Sequence, residues 1–408
     1  MAGGSPRSLF DELHSTFRDR WNELLGRDRE PDADAAAEDD GAFRLRQTIP
    51  SGSSHFASAL FQSVGARMTA GHRVELVDNG RVFDVLVAEI EKARVSVNIV
   101  LYIWEEGLAS DRIVAALAAR ARAGVRCRVL VDAVGSPDFG ERLAPALVEI
   151  GCETRVFRPS LPSAGLARNH RKIVIIDGVV GLTGGFGIRD NWLGDGCTDD
   201  AWRDTAVCFA GPAAADAQQA FAENWQEAGG PLLPLEDFPP APLRPEPVGP
   251  ARVAFVSSTA SPVVTRAERL TQLLITSATK RLWIANAYFV PSRAILDKLG
   301  AKAGGGVDVR VLVAGQKSDS KTSFGTQQFH YGALIDRGVR VWEYRPSMLH
   351  SKTMIIDDHL ALVGSVNLDP LSLNTLDEGA LVVESPRLAT ALAGTYLDDC
   401  ARAELLTE

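Results

Sequence analysis

Three stretches of the chain recur, in the same order, in its second half. AGVRCRVLVDAVGS from Ala123 returns as GGVDVRVLVAGQKS from Gly305. ALVEIGCETRVFRPS from Ala146 returns as ALIDRGVRVWEYRPS from Ala333, and NHRKIVIIDGVVGLTGG from Asn169 as LHSKTMIIDDHLALVGS from Leu349. Three matches in one order mark a duplicated unit, which narrows the fold to two similar bodies facing one another across a pseudo-twofold axis. Within each copy, β-branched runs such as VSVNIVLY, RCRVLVD, ETRVF and KIVIID alternate with helical patterns such as DRIVAALAARARAG. Each body therefore reads as a layered α/β domain, a sheet covered by helices.

The 408 residues, 46% of them hydrophobic, suffice for more than one core. The Pro-rich stretch at 231–250, PLLPLEDFPPAPLRPEPVGP, can continue neither a helix nor a central strand and reads as a connector. That gives a first domain over 42–230 and a second over 251–408. Residues 1–41 are expected to stand outside both. Leu9, Phe10, Leu13, Phe17, Trp21 and Leu24 form one stripe at helical spacing, an amphipathic helix that suits either a lipid surface or the protein's own. The acidic DREPDADAAAEDDG that follows reads as a flexible tether.

A net charge of -9 and a pI near 5.4 argue against a broad grip on nucleic acid, so no nucleic-acid partner is expected. Five scattered cysteines without CxxC spacing give neither a disulfide framework nor a zinc site. No signal-peptide pattern opens the chain and no apolar run reaches the length of a membrane span. The expected location is the cytoplasmic side of a membrane, peripheral to it.

The third repeated stretch carries the chemistry. In HRKIVIID and HSKTMIID a histidine and a lysine stand two apart, so on a strand both project from one face while the aliphatic residues after them are buried. If the two bodies meet through equivalent edges, His170 and Lys172 face His350 and Lys352 in a single cleft. Two imidazoles and two ammonium groups in one place form an anion site, suited to phosphate in charge and in donor count. A single HxK is weak evidence, because such a pair arises by chance. Two copies at the same place in a duplicated unit are not explained that way.

His170, Lys172, Asp177, Gly184 and Gly185, then His350, Lys352, Asp357, Gly364, Ser365 and Asn367, give HxKxxxxD followed by GG or GS twice over. This pattern resembles the phospholipase D superfamily, from residue 42 to the end of the chain. YFVPS at Tyr288, WRDTAVCFAGP at Trp202 and GSVNLDPLSLNTLDEGALVV look like bacterial cardiolipin synthases. The resemblance implies two phospholipase D-like α/β/α sandwich domains and a phosphatidyl transfer that needs neither metal nor cofactor. One histidine forms a phosphohistidine and the other exchanges protons with the leaving and entering alcohols. By analogy His170 is the nucleophile and His350 the general acid and base. Lys172, Lys352 and Asn367 hold the phosphate oxygens. Asp204 and Glu378 stand where the family has acids that orient the histidines, with Asp377 an alternative to Glu378. Asp177 and Asp357 are expected to be structural, capping the turn after a buried strand.

One position departs from the family. Gly187 stands where an asparagine usually follows GGx, which removes a phosphate donor unless a backbone amide or Asn191 replaces it. His55, His72 and His359 are expected on the surface or in loops, His14 belongs to the tail helix, and His330 is a candidate for the lipid pocket. The substrate expected is a phospholipid, phosphatidylglycerol giving cardiolipin and glycerol. The alternative is a phospholipase D or other phosphodiesterase that passes phospholipid or nucleic acid to water.

Overall fold

The computed structural model describes residues 43–159, 167–238, 248–261 and 263–407. The amphipathic helix and tether expected over 1–41 lie outside them, as does the middle of the Pro-rich connector. The strands, in chain order, are β1 Thr69–Asp78, β2 Ser96–Leu101, β3 Arg126–Asp132, β4 Glu153–Phe157, β5 Ile173–Ile176, β6 Val180–Gly184, β7 Thr205–Ala210 and β8 Ala251–Ser258. They continue as β9 Arg281–Asn286, β10 Asp308–Ala314, β11 Arg340–Tyr344, β12 Lys352–Ile356, β13 Leu360–Gly364, β14 Glu378–Glu384 and β15 Ala403–Leu406.

The strand order is β15-β11-β10-β9-β12-β13-β14-β8-β1-β7-β6-β5-β2-β3-β4. Apart from the terminal β15, it reads the same from either end once each strand is exchanged for its repeat partner: the duplication has become a twofold pattern, with β1 against β8 at its centre. β2, β3 and β4 run parallel to one another, as do β9, β10 and β11. SVNIVL in β2 is buried throughout, as a central strand covered on both faces requires. β5 and β12 turn back antiparallel beside β2 and β9, pairing Val100 with Ile173 and Asn286 with Lys352. The ends of β2 and β9 therefore lie beside the starts of β5 and β12. The starts of β7 and β14 pair with the ends of β1 and β8, at Asp78 with Thr205 and Ser258 with Glu378.

One core cluster runs through both halves, from Val77 and Phe83 to Phe255, Leu381 and Tyr396. A second fills the other face of the second half. The first-domain boundary expected at residue 42 needs correction. Phe56, Leu60 and Val64, one face of the helix Phe56–Val64, pack into the second half's core. Leu45 N donates to Gln272 Oε1 at 2.8 Å, and Ser51 N to the Ser277 carbonyl at 2.9 Å. The chain thus begins its described course on the second half and reaches the first only at β1. Physically, an apolar stripe is buried where a complementary helix is available, and Arg266–Ser277 supplies it. The connector is anchored where it is described: Asp237 is buried between Arg126 and Arg128, each at 2.6 Å.

Candidate active site

Each HxK segment is held by the opposite half. Asn169 bridges to Asp377, and His170 N donates to the Asp377 carbonyl at 2.9 Å. In return Leu349 bridges to Arg203, and His350 N donates to the Arg203 carbonyl at 2.7 Å. The residues after Asp377 and Arg203 are Glu378 and Asp204, so this exchange brings each acid to the other half's histidine. Nδ1 of His170 lies 2.8 Å from Oε1 of Glu378, and Nδ1 of His350 lies 3.1 Å from Oδ2 of Asp204.

Two buried arginines fix the exchange. Arg171 donates to the Ala220 carbonyl and Asn224 in its own half, and to Ser257 and the carbonyls of Ser258 and Glu378 in the other. Arg203 binds both oxygens of Asp399, at 2.8 and 2.9 Å. On the first-half side, Asp132 accepts from Arg168 Nε and from Asn169 N at 2.8 Å, which shapes the approach to His170.

The histidines precede the regular strands rather than lying within them, since β5 begins at Ile173 and β12 at Lys352. Both imidazoles are 4% exposed, Lys172 is 2% and Lys352 0%. Each lysine folds back so that Nζ donates to the carbonyl of its own histidine, at 2.8 Å for Lys172 and 2.6 Å for Lys352. A tyrosine completes each set. Tyr102 meets His170 edge-on at 5.1 Å with Lys172 Nζ 5.4 Å from its ring, and Tyr288 meets His350 at 6.0 Å with Lys352 Nζ at 5.7 Å. His170, Lys172, His350 and both tyrosines line one cavity of about 350 Å³.

The two acids are held differently. Glu378 accepts from the hydroxyls of Ser365 and Ser372. Asp204 accepts from Trp192 Nε1 at 2.8 Å and from Thr205 N at 2.7 Å. Gly185, the counterpart of Ser365, leaves the room Asp204 occupies: a Cβ there would sit 2.6 Å from Oδ2 and 2.5 Å from the His350 carbonyl. Trp192 and Trp202 also pack on His350, at 5.3 and 5.1 Å, whereas the ring contact recorded for His170 is Tyr102.

Burial first, and then the two lysines, hold His170 well below the ordinary imidazole range. Burial and Lys352 lower His350 to about 4, with Asp204 opposing them. Burial depresses both lysines, Lys352 to about 8. Burial lifts Glu378 to about 8 against Lys172 and its seryl donors. Burial would lift Asp204 too, but the hydrogen bond and charge of His350, together with Lys352 and Trp192, leave it below the usual range. Four cationic or basic groups held this dry are poised for an anion that restores their charge.

Other expected residues fall in place or elsewhere. Gly184 and Gly364 close β6 and β13. Asp177 and Asp357 take left-handed backbone, but instead of capping their own turns they gather the backbone amides leading into the neighbouring strands. Asp177 accepts from Arg94, Val95 and Ser96, Asp357 from Thr279, Lys280 and Arg281. Asn367 is buried; its main-chain N donates to Ser372 Oγ, while its side-chain oxygen has no partner among the described residues. Asp377 contributes its carbonyl to His170, and its carboxylate accepts from Asn224. His330 begins the short helix Tyr331–Ile335 and is not among the cavity's lining residues. His72, expected on the surface or in a loop, is fully buried within β1, with Nε2 accepting from Ala213 N.

Sequence reasoning passed over Tyr102, Trp192, Ser372 and Asp319. A tyrosine just past each of β2 and β9 is the signal that could have found Tyr102, although the strand pairings make Tyr102 the counterpart of Ala287, one residue before Tyr288. Among the described residues no helix is long and apolar enough to cross a membrane.

The chain matches the family model described as cardiolipin synthase, PLD-like domain, over residues 86–225 and 272–398. A cardiolipin synthase of Geobacillus kaustophilus is 34% identical over 309 residues, 75% of this chain and 61% of that protein. The cardiolipin synthase A of Pseudomonas putida is 33% identical over 346 residues, 83% of this chain and 70% of that one. The match thus spans less than two thirds of the Geobacillus protein. The solved phosphatidylserine synthase of Haemophilus influenzae superposes with a TM-score of 0.66 at 15% identity, over 87% of this chain and 92% of that chain. A polyphosphate kinase from Porphyromonas gingivalis gives 0.54 at 15% identity, over 82% and 48%. These two likenesses concern the fold alone.

Proposed function

The chain belongs to the cardiolipin synthase, PLD-like domain family, and from that premise we propose that it is a phosphatidyltransferase working through a phosphohistidine. The observation that carries the proposal is the crosswise coupling of His170 with Glu378 and His350 with Asp204 at one cavity.

In the first step Nε2 of His170 bonds to the phosphorus of phosphatidylglycerol. The phosphorus–oxygen bond to the glycerol head group breaks, and its oxygen takes a proton from Nε2 of His350. In the second step the neutral His350 removes the proton from the hydroxyl of a second phosphatidylglycerol. That oxygen bonds to phosphorus, the phosphorus–nitrogen bond breaks, and His170 is restored. The products are cardiolipin and glycerol. Lys172 and Lys352 hold the nonbridging oxygens as charge builds on them.

The asymmetry of the site supports this division. A nucleophile must keep its lone pair, and His170, held toward neutrality by burial and two cations, does so. An acid must carry a proton: burial and Lys352 keep His350 neutral in the free site, and a bound phosphate anion that offsets Lys352, together with Asp204 at Nδ1, favours the imidazolium in the complex. Phospholipid substrates imply action at a membrane surface. The amphipathic pattern from Leu9 to Leu24 is in keeping with a peripheral position at that surface.

Mass spectrometry of the lipids after incubation with phosphatidylglycerol vesicles tests the reading, with His350→Ala as control. Cardiolipin plus glycerol, lost in the variant, is the expected result. Phosphatidic acid alone would make the protein a hydrolase, and no lipid turnover would overturn the proposal.

A further inference from the structure

The cavity's walls depart from the twofold pattern at one point. VLVDAVGSPD and VLVAGQKSDS occupy the same place in the two repeats, and there Pro137 corresponds to Asp319. Both line the cavity. One wall is thus neutral and the other carries a carboxylate, in a site that must also take a phosphate anion. The cavity's other carboxylate, Glu105, is paired with Arg189 Nε at 3.2 Å. Among the described residues Asp319 makes no such close ion pair, though its charge acts on Lys352 and His350. Its one recorded hydrogen bond is from Tyr288, whose hydroxyl donates to Oδ1 at 2.8 Å. Tyr288 is buried and packs on His350, so an exposed carboxylate is held at the mouth on the His350 side while Oδ2 stays available.

A fixed negative charge repels the phosphodiester and attracts whatever donors surround it. The alcohol oxygen has to reach His350 to exchange its proton, and Tyr288 holds Asp319 on that side of the cavity, so Asp319 neighbours the alcohol. On the reading that the enzyme transfers phosphatidyl groups to an alcohol, we propose that Asp319 is a specificity-determining residue. It accepts a hydrogen bond from a second hydroxyl of the alcohol and so selects polyol acceptors, such as a glycerol head group, over simple alcohols. Tyr288 is its positioning residue.

The test supplies phosphatidylglycerol vesicles with equimolar deuterated glycerol, 1-propanol and ethanolamine, and follows the partition of phosphatidyl products by mass spectrometry. The wild type should favour glycerol over propanol, and Asp319→Ala should lower that ratio about tenfold, the scale of one hydrogen bond to a charged acceptor. Asp319→Asn, which keeps an acceptor oxygen, should fall between them. An unchanged glycerol-to-propanol ratio in Asp319→Ala overturns the proposal. So does a loss confined to ethanolamine, which would make Asp319 a reader of amines, or loss of all turnover including hydrolysis in both variants. Absence of any phosphatidyl product from the wild type would instead sink the transferase reading itself.

Discussion

His170 Nδ1 stands 2.8 Å from Oε1 of Glu378, a residue of the opposite repeat, and His350 returns the relation with Asp204 at 3.1 Å. Neither half holds a complete histidine–acid pair, so the duplicated unit has no such pair until both copies fold against each other.

The two acids should therefore fail differently. A glutamine at 378 can donate to Nδ1 and place the ring's proton on Nε2, removing the attacking lone pair. Glu378→Gln should cost about 10²–10⁴ in kcat whatever the leaving group. Asp204→Asn disables proton delivery instead, and a p-nitrophenyl phosphodiester, whose leaving group needs no acid, should restore its first-step burst. Equal burst loss in both variants would reverse or remove the assigned roles.

Lys352, lowered to about 8 chiefly by burial, should set the alkaline limb of kcat/KM. Activity should decline above about pH 8 as the ammonium loses its proton, and Lys352→Arg should move the limb upward even where it lowers the rate. A limb that stays in place in that variant belongs to another group.

His350 should leave a mark on stability at acid pH. Its ring titrates near 6.5 when unfolded and near 4 when folded, so between these values the unfolded chain binds a proton that the folded chain lacks. The contribution of the neutral buried ring is complete above pH 6.5 and is lost as pH falls toward 4. Relative to His350→Phe, the wild type should lose about 3 kcal/mol across that window. Urea midpoints at pH 7 and pH 4.5 measure it, and parallel pH slopes would contradict it.

The glycine and serine of the two motifs should not be interchangeable. Gly185→Ala would press a methyl group on Asp204 and the His350 carbonyl, displacing the acid and costing about 10²-fold in kcat, as small misplacements do. Ser365→Ala removes a buried donor from Glu378, with an expected cost of about 1–3 kcal/mol in stability. A Gly185→Ala protein with wild-type turnover would show that Asp204 tolerates displacement.

The sequence already carried the twofold pattern and the HxK pairs, because a repeat is visible as text and HxK spacing fixes a shared face. Pairing between strands is not written locally, so nothing near His170 indicated that Asp377 and Glu378 would come to it from more than two hundred residues away. Residues 43–64 pack on the second half for a related reason. Their apolar stripe announces burial but not against which helix. Asp177 and Asp357 were legible as structural, while their partners, the amides before β2 and β9, depended on which strand lies beside β5 and β12.

Gly187 offers the sharpest contrast between text and structure. By resemblance alone, Gly187→Asn should restore a phosphate donor and raise activity. In the folded chain a Cβ at 187 would sit 3.0 Å from Ile103 Cβ, 3.1 Å from the Ile103 carbonyl and 3.2 Å from Cζ3 of Trp192. Trp192 cannot yield freely, because its Nε1 holds Asp204, which in turn faces His350. The first half has filled the asparagine's space with an indole that orients the acid, and a second occupant there competes with it. Gly187→Asn should therefore lower kcat, by about tenfold or more, rather than raise it. Gly187→Asn with Trp192→Phe would relieve crowding without restoring the Asp204 donor, so the double variant should remain impaired. Enhanced transfer by Gly187→Asn alone would show that the missing donor outweighs the packing.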